Sequence, residues 1–187
     1  MLIRLPAHMD GIAGLIIPGG ESTTIGKLLV NAGLLEPLRL AVKKGMPVYG
    51  TCAGMILLAR DIGGQEQPLI GVMDITVKRN AFGRQLDSFE ETLSMPALGP
   101  APFPGVFIRA PLIEKAGAGV TVLATLRDGR VVAARQGKLL ATAFHPELTN
   151  DSRVHRHFLE MINGTAAQEA WNPRPGLAPR RRVYYGS

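Results

Sequence analysis

The pentapeptide Gly50-Thr51-Cys52-Ala53-Gly54 constrains the fold of this chain more than any other stretch. A strand-like run, Pro47-Val48-Tyr49, enters it, and an apolar helical run, Met55-Ile56-Leu57-Leu58-Ala59, leaves it. A strand that becomes a helix within so few residues needs a tight turn. A Cβ at either flank of that turn collides with neighbouring backbone, so glycine is required there. The layout G-x-nucleophile-x-G sets Cys52 at the end of a buried strand. It also places the thiol near a helix N-terminus, whose partial positive charge favours an anionic sulfur. A lone cysteine is otherwise a small buried hydrophobe, and the flanking glycines favour the nucleophile over that reading.

A second strand-to-helix step precedes the first. Ile12–Ile17 is a nearly continuous apolar run ending in Pro18-Gly19-Gly20, and Ile25, Leu28 and Leu29 follow at helical spacing. Leu34, Leu35, Leu38 and Val42 mark another amphipathic helix, closed by Lys43-Lys44-Gly45. Beyond it, Val72–Val77, Leu86–Leu93, Val106–Ile108, Val120–Leu126, Val131–Ala134 and Leu139–Phe144 read as strands between Gly/Pro turns. Pro96–Pro104 reads as a loop. Asn150 or Asp151 would cap a last helix, 152–163, with Val154, Phe158 and Met161 or Ile162 on its inner face. The pattern predicts an α/β sheet with parallel strands, extended by later strands that are at least partly antiparallel. Residues 1–163 form the domain, and 164–187 read as a basic, disordered tail.

At 187 residues the chain is long enough for one domain with a full core. Its net charge of +6 is unevenly placed: the tail holds Arg174, Arg180, Arg181 and Arg182 against Glu169 alone. The body is close to balanced, which weighs against nucleic acid as a partner. The single cysteine excludes an intramolecular disulfide and a four-cysteine zinc site. No apolar run reaches the roughly 18 residues of a membrane span, and the start lacks a signal-peptide layout. The expectation is a cytoplasmic protein with no membrane partner.

A cysteine nucleophile needs a base, and the base needs an orienting acceptor. His145-Pro146-Glu147 follows the strand Leu139–Phe144 and offers both on one side of the chain. His155 and His157, at i and i+2 on the last helix, cannot face one another; they form no metal site and are expected to meet solvent or a partner. The turn Pro18-Gly19-Gly20-Glu21-Ser22 can aim backbone N–H groups into a pocket. The N–H after the nucleophile, on Ala53, would be a second oxyanion donor beside Gly20. The alternative, a phosphate loop, lacks the Gly-Lys-Ser/Thr signature.

These stretches resemble the class I (triad-type) glutamine amidotransferases. More closely, LIIPGGESTTIGKLL, PVYGTCAGMILLA, RNAFGRQLDSFE, PFPGVFIRAP and FHPELTNDSRVHRHFLEMI resemble the glutaminase subunits of pyridoxal 5′-phosphate synthase. The resemblance covers about residues 11–163. It implies a flavodoxin-like three-layer fold with a mixed, mostly parallel sheet. It implies Cys52 as the nucleophile on the L-glutamine carboxamide, His145 as base and acid, and Glu147 as its orienting carboxylate. Gly20, Glu21, Ser22, Arg79, Ile108 and Arg109 are implied as substrate contacts. A guanidinium can clamp an α-carboxylate bidentately, although surface ion pairing is the ordinary role of such arginines. The implied partner is a barrel-shaped, lyase-type synthase subunit that receives the ammonia. No metal or cofactor is implied for this subunit.

The chain opens on what resembles the family's second strand, so the first strand and helix are expected to be missing, leaving an open apolar edge. A start placed late, or a divergent and impaired protein, would explain this. A non-catalytic synthase-binding module, or the glutaminase of another biosynthetic amidotransferase, are the competing functions.

Overall fold

The computed structural model describes residues 1–82, 88–164 and 181–182. In chain order these form β1 (Leu15–Ile17), α1 (Ser22–Asn31), α2 (Leu35–Lys43), β2 (Val48–Thr51), α3 (Ala53–Leu58), β3 (Ala59–Asp61), β4 (Met73–Lys78), β5 (Ser88–Leu93), β6 (Phe103–Ile108), β7 (Leu112–Ala116), β8 (Thr121–Thr125), β9 (Val131–Gln136), β10 (Leu139–Thr142), α4 (Arg153–Asn163) and β11 (Arg181–Arg182). The main sheet runs β1-β2-β10-β9-β7-β4-β3, with β8 on β9. It is mixed. β1, β2 and β10 are parallel, as are β3 and β4. The joints β10–β9, β9–β7 and β7–β4 are antiparallel. β5 and β6 form a separate antiparallel pair that β11 joins.

The parallel part is apolar on both faces because helices cover both. β2 shows how. Side chains alternate along a strand, so Tyr49 and Gly50 point to opposite sides. The Tyr49 ring packs on Phe158 of α4, with centroids 5.7 Å apart. A Cβ on Gly50 would lie 2.5 Å from the Gly54 carbonyl group in α3. α3 and α4 therefore sandwich the sheet in three layers. Asp151 sits one residue outside the α4 cap, Ser152, and its carboxylate accepts from the Arg153 backbone N–H at 3.0 Å.

Four aromatic residues join the two sheets. Phe89 and Phe107 stack at 4.6 Å, and Phe144 lies 5.6 Å from both Phe103 and Phe107. All four are buried.

β1 ends the main sheet on one side among the described residues, as β3 does on the other, and the flank of β1 is an apolar trough of about 520 Å³. Ile16 on that strand is 44% exposed. The open edge expected from the sequence is thus present. Three expectations need correction. The structure adds β3 and β7, which the sequence pattern does not predict: β3 follows α3 without a turn residue, and β7 alternates only briefly before Glu114 and Lys115. β6 begins at Phe103, inside the expected loop, because Phe103 is drawn into the aromatic core. His157 does not face solvent; it is 2% exposed, and burial, helped by Arg135 and opposed by Glu160, pushes its imidazole down from the usual value. The expected tail lies outside the described residues except for Gly164 and for Arg181–Arg182, whose backbone pairs with β5.

Truncating Phe107 to alanine removes the ring that touches both Phe89 and Phe144. Equilibrium denaturation of Phe107→Ala is expected to show a loss of about 3–5 kcal/mol.

Candidate active site

Cys52 occupies the cap position of α3 with φ 48° and ψ −104°, a backbone conformation that L-residues rarely adopt. The strain is held by close packing. A Cβ on Gly54 would run into the carbonyl oxygen of Ile17 in β1, and Gly50 has no more room. The Cys52 N–H donates to the carbonyl of Thr142 at 2.8 Å, so the end of β10 holds the turn at the end of β2. Cys52 is 7% exposed, and its Sγ lies 3.9 Å from the Ile108 carbonyl.

His145 follows β10 by three residues. Its N–H donates to the Val106 carbonyl at 2.8 Å, which pins it to β6. Its Nδ1 lies 2.8 Å from Oε1 of Glu147, the spacing of a hydrogen-bonded pair. The hydrogen bond with Cys52, followed by that with Glu147, pushes the His145 pKa up to about 9. Burial pushes the Glu147 carboxyl up, but the His145 hydrogen bond and charge outweigh it and hold the group below the usual carboxylate range. The three groups thus favour a protonated imidazole between two acceptors. Beneath them, the buried Tyr49 hydroxyl and Thr142 Oγ1 are 2.9 Å apart, and Thr142 Oγ1 donates to the Phe144 carbonyl at 3.2 Å.

A cavity of about 390 Å³ opens beside this pair. Gly20, Glu21 and Ser22, at the start of α1, line one side. Arg79, just past β4, adjoins them through Glu21, and Ile108 and Arg109, at the end of β6, complete the lining. The structure therefore brings Cys52, His145 and all six expected substrate contacts to one cavity. Glu147 stands behind His145, outside the lining. Ala53 is buried directly after Cys52 and does not line the cavity either. The three non-glycine residues with positive φ among the described residues are Cys52, Asn80 (47°) and Arg109 (41°), and all three line it. Strained backbone collects where function fixes it against its preference.

The Glu21 carboxylate is engaged twice. Oε2 accepts from the Thr24 N–H at 2.7 Å, capping α1, and Oε1 pairs with Arg79 Nη2 at 3.0 Å. The Thr24 hydrogen bond, with smaller help from Thr23 and Arg79, holds its carboxyl below the usual range despite a small opposing effect of burial. Among the described residues no group of three His, Cys, Asp or Glu side chains could hold a metal ion, and no helix is long and apolar enough to cross a membrane.

Sequence reasoning missed four participants. Ile56 and Asn80 line the cavity; Asn80 was within reach, as the neighbour of Arg79 in RNAFGR. Gly19 was passed over for Gly20, yet a Cβ on Gly19 would sit 2.5 Å from His145 Cε1 and 3.5 Å from Cys52 Cβ. Gln67 carried no local signal at all.

Three outcomes follow for the dyad. Gly19→Ala forces the imidazole away from the thiol, and kcat is expected to fall about 100-fold in steady-state assays while circular dichroism stays native. His145 must carry its proton to pass it to a leaving amine, so activity is expected to fall as pH rises through about 9. Glu147→Gln removes one of the two main groups that raise His145. Its pH–rate profile should show the alkaline limb moved to lower pH and a maximum about tenfold lower.

The SNO glutamine amidotransferase family matches residues 1–164. The chain is 63% identical over 160 residues to the pyridoxal 5′-phosphate synthase subunit PdxT of Herpetosiphon aurantiacus, covering 84% of each chain. It is 62% identical to the PdxT of Moorella thermoacetica, covering 86% of this chain and 85% of that one. A solved glutamine amidotransferase structure superposes with a TM-score of 0.82 at 52% identity, covering 86% of this chain and 85% of that one. Together with the cysteine turn and the cavity it serves, these likenesses identify the chain as a member of the SNO glutamine amidotransferase family.

Proposed function

We propose that this chain is the glutaminase of a pyridoxal 5′-phosphate synthase, with Cys52, His145 and Glu147 as its catalytic triad. The observation that carries the residue assignment is convergence: nucleophile, base and the Gly20-Glu21-Ser22 turn meet at one cavity with two arginines on its wall.

The chemistry follows from the geometry. With the imidazole of His145 holding the proton, Cys52 Sγ attacks the carboxamide carbon of glutamine. A C–S bond forms, the carbonyl electrons move to oxygen, and the N–H groups of Gly20 and Ala53 are the proposed oxyanion donors. Collapse of the tetrahedral intermediate breaks the C–N bond, His145 returns the proton to nitrogen, and ammonia leaves. The larger of the two hydrogen bonds raising His145 is the one with Cys52. Acylation removes it, so the imidazole gives up its proton more readily and is neutral, able to accept one, when it must deprotonate water to cleave the thioester. Arg79 and Arg109 hold the substrate's carboxylate end. The ammonia passes to a synthase subunit, expected to be barrel-shaped, in the cytoplasm, where a free thiol stays reduced.

Cys52→Ala is expected to abolish glutamate release from glutamine, with and without the synthase subunit, while thermal melting stays within about 3 °C of the parent. Synthase-stimulated, Cys52-dependent release supports the triad. Release that survives in Cys52→Ala overturns it, and synthase binding without release favours a non-catalytic module.

A further inference from the structure

The loop between β3 and β4 is built as a strap across the substrate cavity's outer wall. Its two ends are tied down. At one end, Gly63 N–H donates to Asp61 Oδ1 at 2.9 Å. At the other, Arg39 of α2 donates to the carbonyls of Leu69 and Ile70 at 2.7 and 3.0 Å, and Ile70 N–H donates to Leu57 of α3 at 2.8 Å. The strap presses on α1: a Cβ on Gly26 would lie 2.5 Å from the Pro68 carbonyl oxygen. Between these anchors sits Gln67, half-buried. Its carbonyl Oε1 accepts from Ser22 Oγ at 3.1 Å, Thr23 Oγ1 at 3.1 Å and Arg79 Nη1 at 3.0 Å. Two of those donors, on Ser22 and Arg79, belong to residues that line the cavity.

We propose that Gln67 is a positioning residue for glutamine binding, its side-chain carbonyl locking Arg79 and the first turn of α1 into one cavity wall. This deepens the reading above and rests on Arg79 being a substrate contact. Three donors converging on one oxygen demand an acceptor there, and methionine of similar length offers none. The amide Nε2 is buried with no hydrogen-bond partner among the described residues, so nothing depends on its being a donor. A carboxylate could therefore take the place of the carboxamide. Without the acceptor, Arg79 Nη1 keeps, among the described residues, only Gln65 Oε1 at 3.1 Å, on the exposed part of the strap, and a long contact to Thr23 at 3.4 Å. Nη2 keeps Glu21, whose side chain is 54% exposed, and such a pair is a weak restraint. The guanidinium then samples other positions before substrate arrives, and ordering it is charged against binding.

The test is steady-state glutaminase kinetics on the full chain with its synthase subunit. For Gln67→Met, KM for glutamine is expected to rise about tenfold while kcat changes less than about threefold. Gln67→Glu is expected to keep KM within about threefold, because its carboxylate accepts from the same donors. Arg79→Ala, measured alongside, separates the two layers of the argument. If Arg79→Ala raises KM but Gln67→Met does not, the positioning role is overturned and the substrate contact stands. If Arg79→Ala leaves KM unchanged, the contact fails and the inference with it. A Gln67→Met defect confined to thermal stability, or an equal KM defect in Gln67→Glu, also overturns the proposal.

Discussion

The approach of Gly54 to the Ile17 carbonyl is the contact on which the rest of the site depends. It lets α3 lie directly on the end of β1, so the turn between β2 and α3 is tight and Cys52 holds a positive φ. That backbone is unfavourable for an L-residue on its own, by about 1–3 kcal/mol for a strained φ/ψ. It persists because the packing around it over-determines it: Gly50 abuts the Gly54 carbonyl group, Gly54 abuts the Ile17 carbonyl, and the Cys52 N–H has its partner on β10.

The same strand carries the base. Thr142 receives the nucleophile's N–H on its carbonyl and, through its buried hydroxyl, donates to the carbonyl just before His145. Nucleophile and imidazole are thus set against one another by adjacent parallel strands in register, Thr142 opposite Thr51. Two loops complete the arrangement. The Gly19-Gly20 turn closes over the dyad from β1, and His145 is tied from behind to β6 through Val106. With Arg79 and Asn80 entering from the end of β4, the cavity is the meeting of five strand ends, and strand ends are where open α/β sheets place their ligands.

Much of this was legible in the residues. The elbow at Cys52, the His145–Glu147 pair and the turn after β1 each rest on spacing within a few residues, and short-range geometry decides them. Arg79, Ile108 and Arg109 were reached only through family resemblance, because nothing local distinguishes them from surface residues. β3 and β7 were not legible. They are short, their polarity does not alternate cleanly, and they are strands because β4 and β9 offer them partners. His157 read as exposed from its spacing with His155, yet the α4 face carrying it turns inward alongside Val154 and Phe158.

The sequence by itself determined the strand–turn–helix carrying a cysteine and the histidine–glutamate pair, because a tight turn and an i, i+2 spacing are local facts of the backbone. Tertiary structure alone decided that Gly19 rather than Gly20 crowds the imidazole and that a glutamine on a distant loop gathers Ser22, Thr23 and Arg79. Both depend on which segments meet in space. Gln67 lies 45 residues from Ser22 and 12 from Arg79, and no periodicity in the chain records that meeting.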